Sequence, residues 1–405
     1  MLPHGIEGQI RVRVAIERDR ITQVTLESTR LVHASRVLQG RPVDEALKLL
    51  PLLFSVCGTA QAQAGLMACE QALGIVVDAA QQAARELMVL SESAYEHLGR
   101  MLLDWSVLRG ESVDRTALAG LRGGRAGFRA ALFQGKDGYA LGGSELRPEA
   151  YDLTSVAIAA LERLLAETMF GMSVQAWHAL DSQEALEKWA SRRITTAGRL
   201  LSDVLGAGWA GLGRCAVEAM PGIPLQAWER VLAADRSGEF VAAPTWQGRV
   251  YETGPLTREL SRPLVSNLYA RYGNGLLTRL VARLTELAAI PTRMRELQAA
   301  LSGHPQPRDP LGKRRDPGYE AGVGIGIIEA ARGRLVHRVE VAAGRVTRYQ
   351  ILAPTEWNFH PRGALVQGLA GTPVEGLDDL YRQVRLVVGA LDPCVAYELE
   401  VVGHA

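Results

Sequence analysis

At 405 residues the chain is long enough to bury a large core, and its 47% apolar content fits a globular protein. Its 45 basic and 44 acidic residues leave a formal charge of +1, too small a field to recruit nucleic acid or anionic lipid, so neither is an expected partner. Four cysteines (Cys57, Cys69, Cys215, Cys394) are too sparse for a disulfide scaffold and suit a reducing, cytoplasmic setting; no secretion-signal core opens the chain and no apolar run reaches about 18 residues, so neither export nor a membrane span is expected.

In chain order, GQIRVRVAIERDRITQVTLEST alternates apolar and polar residues on both sides of ERDR, which predicts an antiparallel strand pair. From Pro42, PVDEALKLLPLLFSV predicts a helix that starts with proline and carboxylates and runs up to Cys57 and Gly58. Between 77 and 105, Ala80, Ala84, Leu87, Met88, Tyr95, Leu98, Met101, Leu102 and Trp105 recur at helical spacing, predicting one long buried helix. Further helices are expected at about 153–170, 182–206, 257–273 and 275–301, the last interrupted at Pro291. Two stretches read as loops: the glycine-rich GLRGGRAGFRAALFQGKDGYALGGSELRPE, and SGHPQPRDPLGKRRDPGYEAGVGIG, whose GKRRD is either a docking surface or a solvated turn. RLVHRVEVAAGRVTRYQILAP then alternates about a glycine turn, and a short helix near 376–390 leads to a final DPC. The expected architecture is one integrated, helix-dominated α+β unit. Its parts are a hairpin over 1–30, a mainly helical body over 42–301, a loop over 302–326, and a sheet with the DPC segment over 327–405.

Two cysteines stand in related surroundings at opposite ends of the chain. Cys57 in VCGTA is followed three residues later by Ala60, and Cys394 in LDPCVA by Tyr397. Each is half of a CxxC, with the second soft ligand replaced. These motifs, with IEGQIRV at 6–12, LQGR at 38–41, ETGPLTR at 252–258, EAARG at 329–333 and APTEWNFHPRG at 353–363, occur in one order along the chain. Together they resemble the large subunit of nickel–iron hydrogenases. That resemblance implies a helical bundle flanked by small antiparallel sheets, with the two CxxC remnants meeting at its centre.

In that family two CxxC pairs hold a binuclear metal site, the second cysteine of each pair bridging the metals. Here the bridging positions are Ala60 and Tyr397, so a permanent nickel–iron site and a working hydrogenase are not expected. The family's magnesium ligands correspond to Ser35 and Glu400, so magnesium is not expected either, and a histidine that normally follows the first CxxC is replaced in the neighbourhood of Gln61 and Gln63. The chain also stops soon after DPC, so no proteolytic completion is expected. What persists is Glu7 at the proton-relay position, Arg332 at the position poised over the iron's diatomic ligands, and Asp392 and Glu96 at carboxylate positions around that arginine.

This pattern resembles the HupK/HoxV-type hydrogenase maturation proteins. The resemblance implies a non-catalytic cytoplasmic assembly factor that holds iron carrying cyanide and carbonyl on Cys57 and Cys394. Its implied partners are the maturation proteins that deliver the iron and the hydrogenase large-subunit precursor that receives it. A metal-free interaction chaperone or structural subunit is the alternative, in which Cys57 and Cys394 are ordinary buried cysteines; Cys69 and Cys215 lack a motif and read as core residues. Arg332 either donates to a bound cyanide or forms a plain ion pair with Asp392 or Glu96. Glu7 either tunes a nearby thiol or is a buried hydrogen-bonding residue, and His97 and His337 read as satisfied packing residues.

Overall fold

Two strands, β1 (Gln9–Glu17) and β2 (Arg20–Ser28), form the expected antiparallel hairpin, in register at Val12↔Leu26. Its turn places Arg18 and Asp19 at positive φ, the geometry of tight hairpin connections. These belong to a computed structural model that describes residues 8–54, 56–113, 115–134, 138–302 and 321–403. Glu7, His404 and the GKRRD segment lie outside the described residues. Along β1, Ile10, Val12 and Val14 turn inward while Arg11 and Arg13 pair with Glu27, Glu398 and Glu400 outside.

The helix predicted from Pro42 is α1 (Val43–Leu53), with Asp44 and Glu45 in its first turn, where the helix dipole favours negative charge. It stops before Cys57, which instead caps the start of a helix the periodicity did not reveal, α2 (Gly58–Leu73). Next comes α3 (Ala79–Arg100), capped by Asp78, which accepts from the Gln81 N–H. Residues Met101–Trp105 form a π turn rather than continuing the α-helix. The first glycine-rich stretch is no loop over its first half: α4 (Arg115–Leu132) runs through it. Leu121, Arg125, Phe128 and Leu132 keep helical spacing, and only Gly124 is sterically required, since a Cβ there would meet the Tyr95 hydroxyl.

After α5 (Ala150–Leu165), the segment expected as one helix at 182–206 divides into Gln183–Ser191 and Thr196–Gly206, capped by Ser182 and Thr195. The 257–273 segment divides into Pro255–Glu259 and Pro263–Tyr272, a proline opening each. The buried α6 (Leu276–Gln298) runs through Pro291 without the expected interruption.

The second glycine-rich stretch, expected as loop to 326, is strand from Ala321. Strands β3 (Ala321–Ala330), β4 (Gly333–Ala342) and β5 (Arg345–Leu352) make an antiparallel sheet in that order. Gly322, Gly324 and Gly326 share one face of β3 and lie against α2. A Cβ on each would come within 1.9 Å of the carbonyl oxygens of Ala72, Ala68 and Ala64 respectively. Alternate glycines on the strand thus meet every fourth, small residue on the helix, and backbone packs on backbone.

Last come α7 (Leu377–Leu391) and β6 (Ala396–Val402), the latter pairing parallel with β1 at Val12↔Leu399. This parallel pairing brings the two ends of the described chain into one sheet. Beneath it, Val384, Val387, Val388 and Leu391 of α7 pack on Ile10, Val12 and Val14. The largest apolar cluster joins α3, α5 and α6 through residues such as Leu98, Leu161, Leu280 and Leu284. The architecture is therefore a helix-dominated α+β fold with small sheets at its flanks.

Candidate functional site

Cys57 stands at the N-cap of α2, where the first helical N–H groups lack intrahelical partners. Glu92 of α3 supplies the acceptor: Thr59 and Ala60 donate their backbone N–H groups to its carboxylate at 2.8 Å each, and Arg125 of α4 pairs with it. Burial pushes the Glu92 carboxyl above its usual range, and Arg125 and the two amides oppose that. One turn along α2, Gln61 donates to the Cys57 sulphur at 3.7 Å and accepts from His337 Nε2 at 2.8 Å. His337 Nδ1 in turn lies 2.9 Å from the Tyr349 hydroxyl. Complete burial holds His337 down to about 3, so the ring is neutral, with its proton on Nε2 facing Gln61 and Nδ1 accepting from Tyr349.

Cys394 follows the C-terminus of α7. Arg283 of α6 donates to the carbonyls of Gly389 and Ala390 at 3.0 Å each, satisfying the last turn of the helix. Asp392 then turns the chain with φ of +55°, a left-handed conformation unusual for a residue with a Cβ. The Cys394 sulphur accepts from Arg30 Nη1 at 2.9 Å and shares a hydrogen bond with Thr355 Oγ1 at 3.0 Å. Arg30 is held from behind by Glu356, at 2.8 Å through Nε.

Arg332 sits at the β3–β4 turn, its carbonyl accepting from Asn358 at 3.1 Å. Its guanidinium is buried, with Nη2 3.3 Å from Glu96 and Nε 3.4 Å from Asp392. Arg100 and Arg283 approach the same Asp392 carboxylate at 3.6 and 3.7 Å. Burial would raise Asp392, but Arg332, Arg283 and Arg100 outweigh it and hold the carboxyl below its usual range. For Arg332 burial works toward loss of charge, and Asp392 and Glu96 reverse it. Among the described residues, Arg332 Nη1 has no hydrogen-bond partner.

These two halves form one electrostatic site. Burial pushes the Cys57 thiol up to about 12, and Cys394 and Glu92 add to the rise while Arg332 and Gln61 oppose it. Both sulphurs in turn support the charge on Arg332. The fold therefore gathers Cys57, Glu96, Arg332 and the Asp392–Cys394 pair from four distant segments. Among the described residues no group of three or more His, Cys, Asp or Glu side chains converges as a metal cage.

The other positions have different employment. Ala60 packs against Ala330, Leu335 and Ala353, and Tyr397 lies on β6 opposite Ile10. Ser35 donates to the Tyr349 carbonyl at 2.8 Å, and Glu400 pairs with Arg13 on the exposed sheet face at 2.7 Å. His97 pairs with Glu286 at 3.0 Å. Cys69 is buried, its thiol pushed up to about 12 by that burial, and Cys215 accepts from Asn274 at 3.2 Å. Sequence reasoning missed Arg30, Glu92 and Arg125, which sit in no motif, and left Thr355 unassigned although it lies inside APTEWN. A cleft of about 1100 Å³ opens beyond the start of α2, walled in part by Pro51, Gly58, Thr59, Ser91 and Arg125.

A family model described as nickel-dependent hydrogenase matches residues 216–398. The hydrogenase expression/formation protein HoxV of Cupriavidus necator is 32% identical over 374 residues, 91% of this chain and 90% of that protein. The hydrogenase expression/formation protein HupK of Bradyrhizobium diazoefficiens is 31% identical, over 99% of each. In fold, the chain matches a [NiFeSe] hydrogenase variant from Desulfovibrio vulgaris Hildenborough with a TM-score of 0.69 at 17% identity, covering 97% of this chain and 99% of that one. No helix among the described residues is long and apolar enough to cross a membrane. With two relatives above 30% identity along nearly its whole length and the matching fold, the chain belongs to the HoxV/HupK family of hydrogenase expression/formation proteins, built on the hydrogenase large-subunit fold.

Proposed function

We propose that this protein is a non-catalytic assembly scaffold in hydrogenase maturation, working in the cytoplasm. It holds an iron bearing two cyanides and one carbonyl on Cys57 and Cys394, then releases it to a large-subunit precursor. The observation that carries this reading is the buried, unpartnered Arg332 Nη1 in the same electrostatic site as the two sulphurs. A buried guanidinium donor without an acceptor is costly unless something supplies one. A cyanide nitrogen is an anionic acceptor suited to it.

Two thiolates supply the soft ligands such an iron requires, and the diatomic ligands or a partner's cysteine complete its coordination. Because the second position of each CxxC is Ala60 or Tyr397, no third or fourth thiolate tightens the hold. That suits a cargo that must leave. Maturation proteins that build the iron unit and the receiving precursor are the partners this role requires.

The test is infrared spectroscopy with metal analysis on protein purified without air from cells expressing the maturation machinery. Cyanide and carbonyl stretching bands with stoichiometric iron, lost in Cys57→Ser and Cys394→Ser, are the expected result. Absence of bands and iron from a wild-type protein that still supports maturation would move the reading to a metal-free chaperone.

A further inference from the structure

Cys57 and Cys394 are not held alike. Cys57 is flanked by apolar side chains, and among the described residues its hydrogen-bond partner is the Gln61 amide, at 3.7 Å. Cys394 meets the cationic Arg30 guanidinium at 2.9 Å and the Thr355 hydroxyl at 3.0 Å. Arg30 is not free to swing away: Glu356 fixes its Nε at 2.8 Å, and both side chains are largely buried. A guanidinium carries its charge at any accessible pH, so this positive group is permanent. We propose that Arg30 is a specificity-determining residue that occupies the cation-facing side of Cys394, so that the two-cysteine site rejects bare divalent metal ions while accepting an iron already bearing anionic ligands.

This role for Arg30 rests on the proposed role of Cys394 as a cargo ligand and on charge. A thiolate attracts any soft divalent ion, and two half-buried thiols form the beginning of an adventitious site for the nickel, zinc or cobalt of a cell. A bare dication approaching Cys394 must displace or face the fixed positive charge of Arg30, with buried Arg332 close by. Repulsion between such charges a few ångströms apart is large wherever water is excluded. A dicyano-iron unit is two charges more negative: its cyanides cancel the metal's charge, so it approaches without that repulsion. Once bound by two thiolates it is a net anion that the same guanidiniums attract, whereas a bare dication so bound is neutral. Arg30 thus separates the two kinds of cargo by charge rather than size.

The experiment is an anaerobic titration of full-length, fully reduced protein with Co²⁺, followed through the thiolate-to-cobalt charge-transfer absorption. Wild type and Arg30→Lys, which keeps the charge, should bind weakly. Arg30→Met should bind at least about a hundredfold more tightly, and adding Cys394→Ser should abolish that gain. Because Arg30→Met leaves Glu356 without its cation, the double variant Arg30→Met/Glu356→Gln is titrated alongside, with far-ultraviolet circular dichroism confirming that each variant is folded. Equal affinities for wild type and both methionine variants would overturn the proposal, as would an Arg30→Lys protein that binds as tightly as Arg30→Met. The scaffold reading fails separately: a wild-type protein without cyanide bands, but with the cobalt gain in Arg30→Met, leaves the charge filter standing and removes its iron cargo.

Discussion

Gly326 and Gly127 offer the same substitution, glycine to alanine, with opposite expected signs. At Gly326 on β3 a Cβ would lie 1.9 Å from the Ala64 carbonyl oxygen and 3.0 Å from the Ala68 nitrogen, both backbone atoms of α2. A normal carbon–oxygen contact is about 3.3 Å or more, so strand and helix must separate by more than an ångström. That separation opens the contact along β3, because Gly322 and Gly324 meet Ala72 and Ala68 in the same way. Overpacking a fitted interface costs about 1–3 kcal/mol, and with no side chain able to move aside the upper end applies, about 3 kcal/mol. At Gly127, inside α4, a Cβ meets nothing within 4 Å. Alanine there removes only the helix penalty of glycine and should stabilise by about 0.5–1 kcal/mol. Denaturant titration followed by circular dichroism measures both midpoints. A Gly326→Ala protein as stable as wild type, or a Gly127→Ala protein less stable than Gly326→Ala, would refute the steric argument. Because Cys57 caps the same helix two turns before Ala64, the proposed iron-holding role predicts weaker iron retention in Gly326→Ala.

Two further expectations concern the buried polar groups around the first cysteine. His337 has its folded value held at about 3 against an unfolded value near 6.5. The unfolded chain therefore takes up a proton that the folded one refuses, so the stabilisation is whole above pH about 6.5 and is lost as pH falls toward 3. It amounts to about 5 kcal/mol across that window, and the difference between wild type and His337→Gln in stability measured from pH 7 to 4 should change by about 3 kcal/mol of it. Arg125→Met leaves the buried Glu92 carboxylate without its cation and should cost about 2 kcal/mol at pH 7, discounted because Arg125 is partly exposed. Glu92 is already raised by burial, so acidification that protonates it should shrink the gap from wild type; a gap that widens on acidification would contradict this account.

The parts of the fold legible in the sequence were those whose hydrophobic pattern had a clear period. The β1–β2 hairpin alternates apart from one irregularity near Ala15 and Ile16, and α3 carries its apolar residues on one stripe, so both are legible. By contrast α2 is buried on nearly every side and built of Ala, Gly and Gln, which leaves no amphipathic signal to read. Its partner strand was hidden by its alternating glycines, which are turn signals in isolation and become a strand face only against a helix of small residues. Of the residues brought together here, the motifs singled out Cys57, Cys394, Arg332 and Asp392, and the resemblance spanning the chain added Glu96. Arg30, Glu92 and Arg125 act by position in space alone, and nothing in their local sequence distinguishes them from other surface-type charges.

Those three residues also explain how a site with half its thiols can remain ordered. Asp392 is held by Arg100, Arg283 and Arg332, Glu92 by Arg125 and two backbone amides, and Arg30 by Glu356. Each of these charges has an opposite partner from another segment, so the pairs fix the relative positions of α2, α3, α4, α6 and the β3–β4 turn. Removing one member of such a pair is costly because it strands the other. On the scaffold proposal, a site ordered by its own ion pairs takes up and gives up its cargo without losing shape. In the proposed carrier role such preorganisation would lower the cost of every transfer, a cost that a permanent metalloenzyme meets once.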